Sequence, residues 1–176
     1  MTNLRCAVRD ADVFEKFLKE RLNVHDENII SLRDEQASRT EILSSFISLR
    51  DNFKNYKKNE AAIIIYYAGH GAQTNKPEGW QDWKTSSGRI EMLCPSDIGR
   101  RTLVWVNGRK HQDVVQGIPD RAISALLNQI SDTKGNNIVR LVNVSELNLF
   151  ELISFEDFDF GLLQLGWNQS WGGAGL

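Results

Sequence analysis

The residues of this chain best suited to chemistry are a histidine, His70, and the glycines on either side of it, Gly69 and Gly71. An imidazole titrates near neutral pH, so it can accept and return a proton as a general base. Glycine neighbours allow the backbone to turn sharply and a substrate to approach closely. A histidine in a loop is by default a surface or structural residue, but the glycine frame favours a catalytic role for His70.

The segment before His70 indicates where the imidazole lies in the fold. Residues 61–68 are eight consecutive apolar residues, rich in β-branched and aromatic types. Such a run is typical of a strand that is buried on both faces in a parallel sheet. Open α/β sheets place their ligands and chemistry at the carboxyl ends of the strands. The sequence therefore predicts that His70 lies at that edge of a sheet.

The two cysteines of the chain, Cys6 and Cys94, are the available thiols. Cys94 stands between Leu93 and Pro95 at an apparent strand end, which is more typical of a small buried apolar residue than of a nucleophile. Cys6 is interpreted as inert. The other histidines, His25 and His111, lie in hydrophilic surroundings without a glycine frame, and neither has a partner at metal-ligand spacing.

Four motifs in sequence order suggest a family. The segment from Tyr66 to Gly71 resembles the histidine motif of the caspase-like cysteine peptidases, in particular the metacaspase-like branch that is common in fungi. Three further segments resemble other parts of that family: the start of its first helix, the end of its substrate-side strand and the start of a later helix. They are, in turn, residues 3–12, 93–97 and 117–120. An ordered set of four is a far more specific signal than a histidine between glycines.

The resemblance implies an α/β fold, namely a caspase-like three-layer sandwich with a mostly parallel central sheet and helices on both faces. It implies that His70 handles the protons of a cysteine endopeptidase and that the Gly71 amide helps to hold the oxyanion. Related enzymes prefer basic residues before the scissile bond, which carboxylates recognise. By the same resemblance Asp10 is the best pocket candidate, and Asp97 is a second acidic contact or a loop cap. Calcium is the one cofactor that the resemblance suggests, and no carboxylate-dense loop supports it.

The chain departs from the family at the nucleophile. The family carries a motif of the type Asp-Cys-Cys-His-Ser-Gly one strand after the helix that is predicted from Asp120, but residues 137–145 continue without a cysteine. The family's hydrophobic first strand also has no counterpart before Asn3. The sequence therefore predicts a partial caspase-like domain over residues 1–138 that lacks peptidase activity. The alternative is a non-catalytic module that binds a peptide or a caspase-like paralogue.

The segment from residue 139 to 176 differs from the rest of the chain. From Leu141 to Leu176 there is no Lys or Arg, and apolar residues crowd without helical or strand period. Such a shift in composition indicates a different origin for the segment. Two explanations fit: the reading frame continues into an unspliced intron after Ile138, or the segment is a diverged tail.

Composition excludes several classes of protein. With 176 residues and a hydrophobic fraction of 41%, the chain can form one domain with a real core. A formal net charge of −2 gives no basic field for nucleic acid or anionic membranes. No apolar run is long enough for a bilayer, and charges at Arg5, Arg9 and Asp10 interrupt any signal peptide. Two distant cysteines do not make a disulfide framework, so the prediction is a cytoplasmic protein.

Periodicity and turn residues predict the other elements. Helices are predicted at residues 7–21, after a capping box at 38–41, and at 120–131. Strands are predicted at residues 28–32, 89–94 and 102–106, the last followed by an Asn-Gly hairpin turn. Residues 73–88 form a long polar stretch, interpreted as a mobile rim of the active site. Trp80, Trp83 and Trp105 are either packing residues or a recognition surface.

Overall fold

A computed structural model describes residues 6–51, 57–80, 82–85, 88–144 and 159–166. The helices are α1 (Ala7–Arg21), α2 (Arg39–Asp51) and α3 (Asp120–Lys134), with short 3-10 turns at Asp26–Asn28 and Asp34–Gln36. The strands are β1 (Ile29–Arg33), β2 (Ala61–Gly69), β3 (Gly71–Asn75), β4 (Arg89–Leu93), β5 (Arg101–Val106), β6 (Arg109–Val114), β7 (Ile118–Pro119), β8 (Ile138–Val144) and β9 (Asp159–Gly166). None of the helices in these ranges could cross a bilayer by length and apolarity.

The central sheet has four parallel strands in the order β1-β9-β2-β8. Strand β9 lies between β1 and β2, where Leu163 is paired with Ile30 on one side and with Ile65 on the other. Part of the compositionally distinct segment therefore occupies an interior position of the sheet. Both edges of β9 are hydrogen-bonded, so its backbone groups are satisfied along the strand.

Helices pack on both faces of this sheet, and the side chains of β2 point alternately to the two faces. Ile63, Ile65 and Tyr67 belong to the larger buried cluster, which also contains side chains of α2 and α3. Ile64 belongs to the smaller cluster, together with Leu18 of α1. The continuous apolar run of β2 is thus the sequence signature of burial on both faces.

The remaining strands form two antiparallel units. Strands β3, β4 and β7 form a small sheet in the order β3-β4-β7. Strands β5 and β6 form a separate hairpin whose turn residues, Asn107 and Gly108, have φ of 50° and 75°. Positive φ at both positions is the reason that an Asn-Gly pair serves this turn.

The predicted α/β class is confirmed at the level of a mixed fold with a parallel sheet. Helix α1 has the predicted bounds, and α3 extends three residues beyond the predicted end to Lys134. The first half of the predicted capping box is confirmed, since the amide of Glu41 donates a hydrogen bond of 3.3 Å to Ser38 Oγ. The stretch at 73–88 is less irregular than predicted, because its first residues complete β3. Pairing with β4 overrides their polar composition.

Candidate functional site at the carboxyl end of strand β2

His70 lies between the end of β2 at Gly69 and the start of β3 at Gly71, at the carboxyl edge of the parallel sheet. Its side chain is buried, with 2% of the residue exposed. The His70 carbonyl oxygen accepts a hydrogen bond of 3.0 Å from the Cys94 amide. The backbone of His70 is thus fixed to the segment that follows β4.

Tyr67 joins the same two segments from within the core. Its hydroxyl lies 2.7 Å from the carbonyl oxygen of His70 and 3.1 Å from that of Cys94. Because a phenol has one proton, it donates to these two acceptors alternately or in a shared bond. Burial raises the pKa of the Tyr67 phenol far above its usual range, so the proton needed for this bond is retained.

Gly69 makes room for that hydroxyl. A Cβ added at Gly69 would lie 2.6 Å from the hydroxyl oxygen of Tyr67, much closer than two non-bonded atoms can approach. The sequence predicted this glycine for a sharp turn and close substrate approach. In the structure its small size also permits the Tyr67 bridge. Gly71 is paired with Leu93 in the β3–β4 ladder, and its role as an oxyanion donor stays a prediction.

Strand β8 is the neighbour of β2 on the side opposite to β9. In the parallel register of these two strands Gly69 is paired with Val144, so both carboxyl ends reach the same edge. Strand β8 contains no cysteine. Cys94 is buried in the same cluster as Tyr67, as its sequence context predicted, and Cys6 is exposed just before α1.

Asp10 lies in α1 and lines a pocket of about 510 Å³. The other lining residues are mostly apolar or aromatic: Cys6, Arg9, Val13, Phe14, Phe17 and Tyr66. The rings of Phe14 and Tyr66 are stacked with centroids 4.4 Å apart. Arg9 offsets the carboxylate charge, so the pocket is less acidic than the resemblance implies. Tyr66 precedes His70 by four residues, a distance of roughly 13 Å along an extended chain.

Asp97 lies elsewhere, in a second pocket of about 620 Å³ that includes Glu35, Ser38 and Arg100 but none of the residues around Asp10. Its Oδ1 accepts a hydrogen bond of 2.8 Å from the amide of Arg39, the first residue of α2. A carboxylate at this place satisfies one of the unpaired N–H groups at a helix start. This geometry matches the loop-cap alternative for Asp97, and Asp97 and Asp10 do not share a pocket.

The contacts of Trp80 and Trp83 with helix α3 were not predicted from the sequence. Trp83 Nε1 donates a hydrogen bond of 3.1 Å to Asp120, the first residue of α3. The guanidinium of Arg121 lies 4.9 Å from the ring centroid of Trp80. These contacts favour the packing interpretation for both tryptophans. The sequence signal for these contacts is the pair Asp120–Arg121, which places a hydrogen-bond acceptor and a cation at the start of a helix, where tryptophan side chains can contact them.

Within the described ranges there is no group of three or more His, Cys, Asp or Glu residues that could hold a metal ion. Comparison of the chain with protein-family models, with curated proteins and with solved structures found no match.

Proposed function

We propose that this chain is a caspase-like cysteine-endopeptidase domain that has the histidine of the catalytic dyad without its cysteine, and that it does not cleave peptides. The observation that carries this proposal is the position of buried His70 at the carboxyl end of β2, beside the end of β8. Neighbouring strands are about 4.8 Å apart. A thiol just after β8 would be within reach of the imidazole, and the sequence has no cysteine after Cys94.

The surrounding architecture supports a caspase-like three-layer sandwich as the finer description of the fold. A parallel sheet with α1 on one face and α2 and α3 on the other is the layering that the resemblance implies. Free cysteines at positions 6 and 94 support a location in the reducing cytoplasm.

A second candidate function is peptide binding without cleavage, and the pocket of Asp10 favours it. A carboxylate among aromatic walls suits a Lys or Arg side chain, whose methylene stem packs on rings while its charged head meets the acid. The occupant would be a peptide or an exposed segment of a caspase-like paralogue.

The peptidase proposal is tested by restoring the nucleophile. The unmodified chain should not hydrolyse fluorogenic Arg or Lys peptides, with or without calcium. Replacing residues 143–148 by Asp-Cys-Cys-His-Ser-Gly keeps β8 as far as Val142, which is paired with Tyr67. This graft should produce hydrolysis that thiol reagents block and that His70→Ala lowers by at least about a thousandfold.

The matched control is the same graft with serine in place of both cysteines, which should be inactive. Hydrolysis by the cysteine graft that is unaffected by His70→Ala would show that the histidine is structural. The binding candidate has its own test, fluorescence anisotropy of a labelled Arg peptide and of its norleucine analogue. Asp10→Asn should weaken binding of the Arg peptide but not of the norleucine peptide. Equally weakened binding of both peptides would contradict a pocket for basic side chains.

A further inference from the structure

The hairpin of β5 and β6 carries an unusual share of the exposed apolar surface. Seven large apolar side chains are exposed among the described residues, and four of them, Leu103, Trp105, Val106 and Val114, lie on this hairpin. Its two strands are hydrogen-bonded only to each other among the described strands. An isolated two-stranded hairpin is marginally stable in water, and a contiguous exposed apolar patch usually marks an interaction site.

The two faces of the hairpin differ in chemistry. Alternation along the strands and the observed register place six side chains on one face, here called the Trp105 face: Arg101, Leu103, Trp105, Lys110, Gln112 and Val114. This face combines three exposed apolar side chains with two cations and has no acidic residue. The opposite face carries Val106 and Arg109 but also Asp113, so its charges are mixed.

The positions of the apolar and cationic side chains on the Trp105 face determine which kind of partner it could bind. Leu103, Trp105 and Val114 are 60%, 68% and 41% exposed. Arg101 is paired with Val114 at one end, and Lys110 is paired with Trp105 at the other, its Nζ lying 5.3 Å from the Trp105 ring centroid. An apolar stripe between two cations is complementary to an apolar stripe between two carboxylates.

A pocket lies beside the end of this face that carries Arg101. This pocket of about 510 Å³ is lined by Arg101, Leu103 and Gln112, with Asp97, Arg100, Thr102 and Val115 completing it. Of these residues Leu103 and Val115 are apolar, so a partner's side chain that enters beside Leu103 would also meet polar and charged groups. Buried anchors of this kind account for most of the binding energy at protein interfaces.

We propose that the Trp105 face binds an acidic amphipathic helix of a partner protein. A helix presents apolar residues and flanking carboxylates on one side, which matches a face that mixes apolar and cationic groups. A strand added at a hairpin edge would instead direct its side chains to both faces. Six residues of ribbon span about 20 Å, the length of a helix of about fourteen residues. This site is separate from His70 and does not depend on the peptidase proposal.

The test uses the full chain and a fluorescein-labelled helical peptide of about fourteen residues with a Leu stripe flanked by Glu. Leu103→Ser should weaken binding about tenfold and Arg101→Gln severalfold. The matched controls on the opposite face, Val106→Ser and Arg109→Gln, should change it by less than about twofold. A peptide with Lys in place of Glu should not bind.

Circular dichroism and urea melts of each variant should match those of the unmodified chain, because these side chains are exposed. Equal effects of the variants on both faces would overturn the proposal. So would tight binding of a single-stranded oligonucleotide that Arg101→Gln weakens while the acidic peptide fails to bind. Concentration-dependent dimerisation that Leu103→Ser abolishes, without peptide binding, would replace the partner helix by a second copy of the chain.

Discussion

The hydroxyl oxygen of Tyr67 lies 2.7 Å from the carbonyl oxygen of His70. Through this bond and a second one to Cys94, a core side chain fixes the backbone at the edge where the candidate site lies. The backbone position of His70 is therefore held by a residue whose side chain is buried in the core.

Tyr67→Phe should destabilise the protein by about 1–3 kcal/mol, because it removes the hydroxyl donor from the carbonyl oxygens of His70 and Cys94. The His70 oxygen keeps its other bond, from the Cys94 amide. The ring itself is retained, so packing is unchanged. Urea denaturation followed by circular dichroism measures the free energy of unfolding. Tyr67→Leu, which removes ring and hydroxyl together, should cost more than Tyr67→Phe, and equal stability of Tyr67→Phe and the unmodified chain would contradict the bridge.

Alkaline pH should destabilise the protein through the same phenol. Burial raises the pKa of Tyr67 in the folded state, whereas in the unfolded state it is about 10. The unfolded chain therefore loses this proton first, so the stabilisation is fully present below about pH 10 and is lost as the pH rises further. The free energy of unfolding should fall more steeply above pH 10 in the unmodified chain than in Tyr67→Phe. Parallel pH profiles for the two proteins would be the contrary result.

Gly69→Ala should cost about 1–3 kcal/mol, because its Cβ would overlap the Tyr67 hydroxyl. The cost should fall when Tyr67 is first replaced by Ala, since the overlapping atoms are then absent. A double-mutant cycle of unfolding free energies measures this coupling. Additive effects of the two substitutions would show that Gly69 is required for another reason, such as backbone conformation.

Asp97→Ala should cost about 0.5–2 kcal/mol by removing the acceptor for the first amide of α2. Asp97→Asn keeps an acceptor oxygen at the same place and should cost less. Thermal and urea melts of both variants measure the difference. If both variants keep full stability while peptide binding is lost, Asp97 is a substrate contact rather than a cap.

Hydrogen exchange should show that residues 159–166 are protected to the same extent as β2. Both edges of β9 are hydrogen-bonded, to β1 and to β2, so its amides exchange only when the sheet opens. Peptides from the β5–β6 hairpin provide the internal comparison, and they should exchange faster. Exchange of residues 159–166 within seconds would place β9 outside the stable sheet.

The candidate site was only partly predictable from sequence. His70 at the carboxyl end of a buried strand follows from a continuous apolar run and two glycines, which are local features. The bridging role of Tyr67 was not predictable, because its two acceptors lie on segments separated by 24 residues, His70 and Cys94. The cap of α2 by Asp97 joins residues 58 positions apart, and no local pattern encodes such a pair.

The sequence by itself determined the elements that local patterns encode. Apolar spacing predicts α1, the Asn-Gly pair predicts the β5–β6 turn, and a continuous apolar run predicts β2. The tertiary structure decided which strands are neighbours. Strand β9 lies between β1 and β2 although about ninety residues separate it from the latter. Parallel pairing uses backbone groups that every residue carries, so partner choice is set by the packing of whole faces and not by a motif.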